Sequence, residues 1–559
     1  MIVLLATAFL SLGLINLDFG RNWWKGQRLR LAIGVPLTLI YCYAAMPPLV
    51  FPQAFTLLLL TFVPNTVFST MVSARSFIVG RRIVSMRKVS IVPYLVGLAV
   101  LGGFAAILTI APVVDASGLR DVPDVEFAHD APPSADLRHV RVVPVESAIF
   151  AGEKVVGQLG AYYRVGDYNI QVDGGRLVWV APLEFQGIIQ WLVRRTSPGV
   201  IVVSAENPDA GAELRQRTSM RYIPSALLND NLYRHVYFRY GAEQILETTL
   251  QLDDHGDPQY LCTLGRPTIG WTGQKVTGVV IVDPATGAMR RIDRRNFDRL
   301  PSWVSRVYPS DLALAYNEWF GLYVHGWWNS LLARRDVHIP ARGEVFGMLA
   351  GPHQFVWFVD HSSPSSTDQS MTGFTYMDTV TGKITYYTSS GGEFSSIGSE
   401  NAVASNPIVR QGRLQPTQPI LYRVDGTNAW VVPLVADTGK FQTLALVDAK
   451  DGHVVVGNPT VPGPQADAFA QYTAFVHGTT GPSPATAALQ RGTIDRIAAG
   501  AGAVVYFTLR GGRTIYSASG VTALLARPGD HVELEVRASA GGVTGSLEVA
   551  RFVDRTLQR

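Results

Sequence analysis

Histidine, cysteine and clustered carboxylates hold metals and move protons, and this chain uses them thinly. Its eleven His are scattered. No H-E-x-x-H pair offers zinc two ligands on one helix face, and the nearest approach to a cluster is His353 with His361. Cys42 lies in an apolar run and Cys262 stands alone in the polar part of the chain, so neither a disulfide between them nor an enclosing C-x-x-C site fits. Asp253, Asp254 and Asp257 around Gly256 present oxygen ligands, but the spacing of a full calcium loop is missing and an acidic hairpin turn is the expected form. A G-x-S-x-G elbow and a phosphate-cradling G-x-x-x-x-G-K are both absent. No catalytic residue, metal ligand or cofactor is therefore expected.

Recognition chemistry is better represented. Residues 311–332, DLALAYNEWFGLYVHGWWNSLL, place Leu312, Tyr316, Trp319, Tyr323, Trp327 and Leu331 on one face at helical spacing. Tryptophan and tyrosine favour half-wet positions, which makes Trp319, Tyr323, Trp327 and Trp328 the candidate interface, against a membrane surface or a partner. The competing reading is a core helix between two sheets. Neighbours on a helix are about 100° apart, so Trp319 is expected on the core side, with Trp327 and Trp328 divided between inside and outside. Asn16, Asp18 and Asn65 are the polar residues inside apolar runs. Such groups face a partner helix or a pathway, and Asp18 has Arg21 close by to neutralise it.

These residues sit on two kinds of chain. Four apolar runs, 1–17, 31–51, 55–72 and 90–114, open the sequence, and a membrane span needs about 20 such residues. The first starts without a charged leader and is expected to be retained. Arg21, Lys25, Arg28 and Arg30 separate runs one and two, and Arg75, Arg81, Arg82, Arg87 and Lys88 separate three and four, while the link around 47–53 has no basic residue. Basic loops stay in the cytoplasm, which places both of them inside, and Met1 and everything after residue 114 outside. Nine of the 48 Lys and Arg, and one of the 44 Asp and Glu, precede residue 115, leaving 39 basic against 43 acidic residues beyond it. The positive net charge thus belongs to the anchor, and nucleic acid is not an expected partner.

Beyond the anchor, residues 115–137 read as a Pro- and Asp-rich linker. Two α+β modules follow over 138–300, the aromatic segment occupies 301–340, and two further modules fill 341–477. After a second linker, 478–491, five short strand candidates over 492–559 suggest a small barrel or sandwich, OB-like in its punctuation. Each module pairs an apolar strand with a second one that closes on a polar turn: LVWVAPL (177–183) with VIVVSAENPDAG (200–211), QYLCTL (259–264) with GVVIVDPATG (278–287), FVWFVD (355–360) with GFTYMDTVTGKI (373–384), and AWVVPL (429–434) with LALVDAKDGHVVV (444–456). In such turns Asp caps the loop and Gly supplies positive φ. A helical stretch precedes at least two copies, at 146–159 and 399–409. This order resembles the PepSY family of extracytoplasmic domains, over 137–477 and best over 399–457. The resemblance implies peptidase inhibition or regulation of partners at the cell envelope and brings no catalytic residue.

The fold class is accordingly an α-helical membrane anchor of about four transmembrane helices, with tandem antiparallel α+β modules and a C-terminal small β-barrel or OB-like domain outside. The function read from this is a multi-pass cell-membrane protein whose extracytoplasmic region binds or assembles other envelope proteins, with the lipid bilayer and a second copy of itself as further partners. The alternatives are an envelope hydrolase or peptidase whose residues meet only in the fold, and a channel or transporter subunit.

Overall fold

A computed structural model describes the chain apart from residues 20–22, 75, 80–81, 86–90, 158–159, 352–353, 366–367, 478–487, 500–503, 513, 520, 537–545 and 557–559. His353 and most of the 478–491 stretch lie outside the described residues. The chain divides into two compact units, Met1–Gln465 and Ala466–Arg559.

Apolar helices open the first unit. Among the described residues, three are long and apolar enough to cross a membrane: Trp23–Ala45, Gln53–Met71 and Val92–Val114. At 1.5 Å per residue the last extends about 35 Å, against about 30 Å of hydrocarbon. The first run does not match them. Ile2–Leu14 is a shorter apolar helix of about 20 Å, so three helices of spanning length stand where about four were expected. The Trp23–Ala45 helix starts well before residue 31, because Lys, Gln, Arg and Leu in WWKGQRLR are good helix formers and outweigh the single Gly26.

Four times thereafter the chain lays down a helix and then an antiparallel sheet. The helices are Val145–Val156, Leu232–Tyr240, Ser310–Leu322 and Ser396–Ser405, and the sheets that follow them run Tyr163–Arg215, Gln244–Asp293, Ile339–Thr388 and Gln415–Val456. One backbone joint recurs in all four copies. The carbonyl just beyond the end of the third long strand accepts the N–H groups that lead into that copy's helix: Ala205 O from Val142 and Val143 (3.0 and 2.9 Å), Pro284 O from Arg221 and Tyr222 (both 2.8 Å), Thr379 O from Val307 and Tyr308 (2.9 and 2.8 Å), and Ala449 O from Phe394 (2.6 Å). The turn residues hold that carbonyl in place. Asp378 Oδ1 accepts from Val380 and Thr381 at 3.1 and 2.7 Å, and Asp448 Oδ1 from Lys450 and Asp451 at 2.9 and 2.8 Å. Gly382 closes its turn at φ 76°, where a Cβ would come within 2.3 Å of the Tyr308 ring, so both backbone and space demand glycine.

A second tie recurs in three copies. The Trp on the central strand donates its indole N–H to the helix lead-in: Trp179 to Val143 O (2.9 Å), Trp357 to Tyr308 O (2.9 Å) and Trp430 to Phe394 O (2.8 Å). The central strands are buried on both faces, since Leu177 and Trp179 belong to one core with Leu261 and Trp357, while Val178 and Val180 belong to another with Cys262 and Leu232. Sheet-on-sheet packing therefore erases the polar alternation of a half-exposed strand.

Two stretches depart from the sequence reading. Residues 115–137 hold a helix, Ala116–Arg120, and a strand, Asp124–Phe127, that pairs in parallel with Lys383–Thr388, so this part of the expected linker is built into the third sheet. The aromatic segment is not one helix. Ser310–Leu322 ends at Tyr323, Gly326 takes φ 80°, and a separate turn, Gly326–Trp328, follows.

The Leu232–Tyr240 helix and the loop at Trp271, both of the second copy, are bonded to the ends of the apolar helices. Leu49 N–H donates to Gly241 O at 2.8 Å, Tyr237 Oη to Pro47 O at 2.8 Å, Arg234 Nε to Tyr43 O at 3.1 Å and Trp271 Nε1 to Thr109 Oγ1 at 3.3 Å.

In the second unit Ala488–Ala499, Val504–Leu509, Ile515–Ser519, His531–Val536 and Ser546–Asp554 close a barrel in the order first, second, third, fifth, fourth. The third and fifth strands are parallel, and the Val521–Leu525 helix precedes the fourth.

Candidate functional site

A cavity of about 490 Å³ opens where the first, third and fourth copies meet, with Arg141, Arg306, Arg342, Trp179 and Trp357 in its wall together with the acids Glu146, Asp311, Glu344 and Glu400. A larger one, about 630 Å³, is lined by strand ends and turns including Asp173, Asp253 and Asp378. Its acids are already engaged: Asp378 and Asp253 cap their own turns, and Asp173 pairs with Arg215 at 3.1 Å. The smaller cavity therefore has the more available chemistry.

Arg141 is 3% exposed, with its guanidinium 4.9 Å from the Trp179 ring centre and 5.6 Å from that of Phe346. It donates to Gly347 O at 3.3 Å and to the Gln418 side-chain oxygen, both neutral acceptors. Burial pulls its pKa down to about 10, so it stays charged at neutral pH. Arg306 lies 4.7 Å from the Trp357 ring centre, donates to Glu247 at 2.5 Å and to Asn169 at 3.3 Å, and leaves its Nε without a partner. Arg342 pairs with Glu400 at the rim. Guanidinium groups flattened on indole and shielded from water suit bidentate binding of a carboxylate or phosphate.

Sequence reasoning passes over these arginines, although a signal exists. Arg141-Val142-Val143-Pro144, Arg221-Tyr222-Ile223-Pro224 and Arg306-Val307-Tyr308-Pro309 are one pattern, R-x-x-P, on three helix lead-ins. In the first and third copies the arginine lies over the Trp of the central strand, whereas the fourth copy has Trp430 and no such arginine. At the corresponding register position the second copy has Tyr260, with Cys262 two residues further on, and its Arg221 turns to Asp230 at 2.9 Å. Cys262 itself is fully buried, which pushes its thiol up to about 12 and keeps it protonated.

A second buried cluster joins the third helix to its sheet. His361 Nε2 is 2.9 Å from Asn317 Oδ1, which also accepts from Thr375 Oγ1 at 2.6 Å, and His361 Nδ1 is 2.9 Å from His338 Nδ1. Asn317 Nδ2 donates to Ala313 O at 2.8 Å, which fixes Oδ1 as the acceptor. His361 must then carry its proton on Nε2 and accept from His338 Nδ1–H. Burial lowers His338 to about 4 and His361 well below its ordinary value. His338 is the partner that the sequence pairing of His361 with His353 overlooks.

Trp319 packs against the main core and lies 5.7 Å from Tyr316, ring to ring. Tyr323 and Trp327 are half-buried and Trp328 is 69% exposed. Among the apolar helices, Asn16 and Asn65 come together around Arg30. Asn65 Oδ1 accepts from Arg30 Nε at 2.8 Å, its Nδ2 donates to Gly13 O and Ile15 O at 3.0 and 2.9 Å, and Tyr94 Oη bridges Arg30 (3.2 Å) to Asn16 Oδ1 (3.0 Å). Asp18 reaches this knot only through its backbone N–H, 3.1 Å from Asn16 Oδ1. The knot ties Ile2–Leu14 to the three longer helices.

The class these features define is a bundle of apolar helices bonded to a head of four repeated helix-and-sheet copies, with an arginine-lined cavity. No family model matches the chain, and no curated protein matches it. Among solved structures, an exo-1,5-alpha-L-arabinanase from a bovine ruminal metagenomic library is similar at 14% identity over 53% of this chain and 79% of that one, with a TM-score of 0.15. A complex of BT0996 with RGII is similar at 10% identity over 76% and 92%, with a TM-score of 0.18. At these scores neither likeness carries an argument.

Proposed function

We propose that this protein is a membrane-anchored binding and assembly protein of the cell envelope, whose extracytoplasmic head receives an anionic group of a partner between Arg141 and Arg306. The observation that carries the reading is Arg141: its buried guanidinium donates to neutral acceptors while the carboxylates Glu146 and Glu344 act on it from further off, and an incoming carboxylate or phosphate would give it a direct charge partner. Three apolar helices of spanning length supply the anchor, and two basic loops put the head outside. The PepSY resemblance supports a regulatory binding role, and the strand order of the terminal barrel supports an OB-like domain. In the helices, Asn16, Asn65 and Arg30 satisfy one another, which favours packing over a conduction path.

The test is photocrosslinking in intact cells from the exposed rim position Glu344, in the full chain. A specific adduct is expected, and Arg141→Gln with Arg306→Gln should reduce it at least tenfold while the folded chain persists in detergent. An adduct indifferent to both substitutions counts against the cavity. Turnover of a hydrolase substrate by the purified chain that disappears with Glu146→Gln would replace binding by catalysis.

A further inference from the structure

Two short segments of the head turn large apolar side chains toward solvent, and they share a sequence plan. Gly187 to Arg195 reads GIIQWLVRR and Gly326 to Arg335 reads GWWNSLLARR: a glycine, two large apolar residues, one or two polar residues, three further apolar residues and a closing Arg-Arg. Each helical piece ends on an arginine in the left-handed region, Arg195 at φ 62° and Arg334 at φ 50°. In the first, Ile188, Ile189, Leu192 and Val193 are 64, 72, 51 and 61% exposed while Trp191 is buried; in the second, Trp328, Leu331 and Leu332 are 69, 52 and 73% exposed. Scattered apolar residues on a surface need no explanation, but contiguous ones mark a binding face.

Their position names the occupant. Trp191 belongs to one buried cluster with Met220, Ile223 and Leu232, part of the segment whose Asn229 and Arg234 hold Tyr43 near the end of the Trp23–Ala45 helix (3.2 and 3.1 Å). The Gly326–Trp328 turn packs on Ala116–Arg120, which directly follows Val92–Val114. Trp271 reaches Thr109 inside that last helix, so the head already extends about 8 Å along it from its end. Amphipathic segments at a membrane surface bury their apolar face about 5 to 10 Å deep.

We propose that the two Arg-Arg-terminated segments lie in the interfacial layer of the bilayer on the head's side, with apolar side chains among the acyl chains and the arginines at lipid phosphates. The proposal rests on the reading of the three long helices as spans. Trp is at home in that layer. Arginine can bury its stem while its fork meets phosphate, and Arg194 and Arg195 start 4.3 and 4.1 Å from the ring centres of Tyr162 and Trp191. The head would then be held against the membrane at two places in addition to the helices themselves.

The experiment uses the full chain in vesicles of phosphatidylcholine and phosphatidylglycerol carrying lipids with a nitroxide at acyl carbon 5 or 12. An environment-sensitive fluorophore is placed on Ile189→Cys, Leu332→Cys, Val100→Cys in the fourth apolar helix, and Ile408→Cys on the fourth copy. The unsubstituted chain, whose Cys42 and Cys262 are both buried, is the labelling blank. Ile189→Cys and Leu332→Cys should be quenched at least twofold more by the shallow nitroxide than Ile408→Cys, and Val100→Cys by the deep one. If Val100→Cys is quenched and the two head positions match Ile408→Cys, the inference falls and the anchor stands. If Val100→Cys escapes quenching, the anchor reading itself falls. Head labels shielded from both aqueous iodide and lipid nitroxide would mean a protein occupant and would also overturn the inference.

Discussion

At the scale of single residues the chain's most consequential groups are those whose partners lie far away in sequence. Arg141 and Trp179, or Arg306 and Trp357, meet because a strand returns past its own helix lead-in, and no local periodicity announces that. The aromatic segment was more legible: helical spacing puts Trp319 inward, and it packs on the core, while adjacent Trp327 and Trp328 differ in exposure as their angular separation requires. Trp319→Ala should cost about 2 to 4 kcal/mol in thermal melts, a little below the range for a fully buried Trp, and Trp328→Ala less than about 0.5 kcal/mol. A larger loss at Trp328 would reverse the assignment. The histidine pair sets a pH dependence. The unfolded histidines titrate at about 6.5, whereas burial lowers His338 to about 4 and His361 well below its ordinary value. Between these values the unfolded chain binds more protons, so the contribution is complete above about 6.5 and is lost as pH falls, at about 1.4 kcal/mol per pH unit for each histidine. Melting temperature should drop from pH 7 to pH 5, and a His338→Phe, His361→Gln variant should show a flatter profile over that interval; an equal slope would assign the effect to other groups.

At the scale of elements, the Asp- and Gly-containing turns are visible in sequence as hairpins, but their second task is not. The carbonyl beside each turn anchors the start of a helix, and only the folded copy reveals the acceptor. Gly382 and Gly426 separate the two tasks. Both have positive φ, yet a Cβ on Gly426 would meet open space, while one on Gly382 would press on Tyr308, a residue of the helix joint. Gly426→Ala should therefore cost about 1 kcal/mol, the penalty of a left-handed residue, and Gly382→Ala should cost at least about twice that in equilibrium unfolding. Equal losses would mean that the joint yields freely. The Asp124–Phe127 strand was illegible for a different reason: a short parallel edge partner needs neither a long apolar run nor a nearby turn, and its Pro- and Asp-rich surroundings resemble a linker. The break after Leu322 was obscured because apolar spacing continues across Gly326, although the backbone there no longer does.

At the scale of the whole molecule, the arrangement of charge and the arrangement of bonds bear on the same question of sidedness. The link between the Trp23–Ala45 and Gln53–Met71 helices and the end of Val92–Val114 are bonded to one head, through Leu49, Tyr237, Arg234 and Trp271. An even number of crossings separates that link from the end of the last helix, so both belong on one face of a membrane, as their bonds to a common head require. The short Ile2–Leu14 helix does not alter this parity for the head. At about 20 Å it falls short of about 30 Å of hydrocarbon, and whether it crosses decides only the side of Met1. The proposed orientation puts the Lys and Arg of the two basic loops on the cytoplasmic side and would leave the head outside. Ser117, exposed directly after the last long helix, and Lys25, exposed near the start of the first, report on the two faces. In intact cells an impermeant thiol reagent should modify Ser117→Cys and leave Lys25→Cys protected until lysis. The opposite pattern would turn the whole protein over and move its arginine-lined cavity into the cytoplasm.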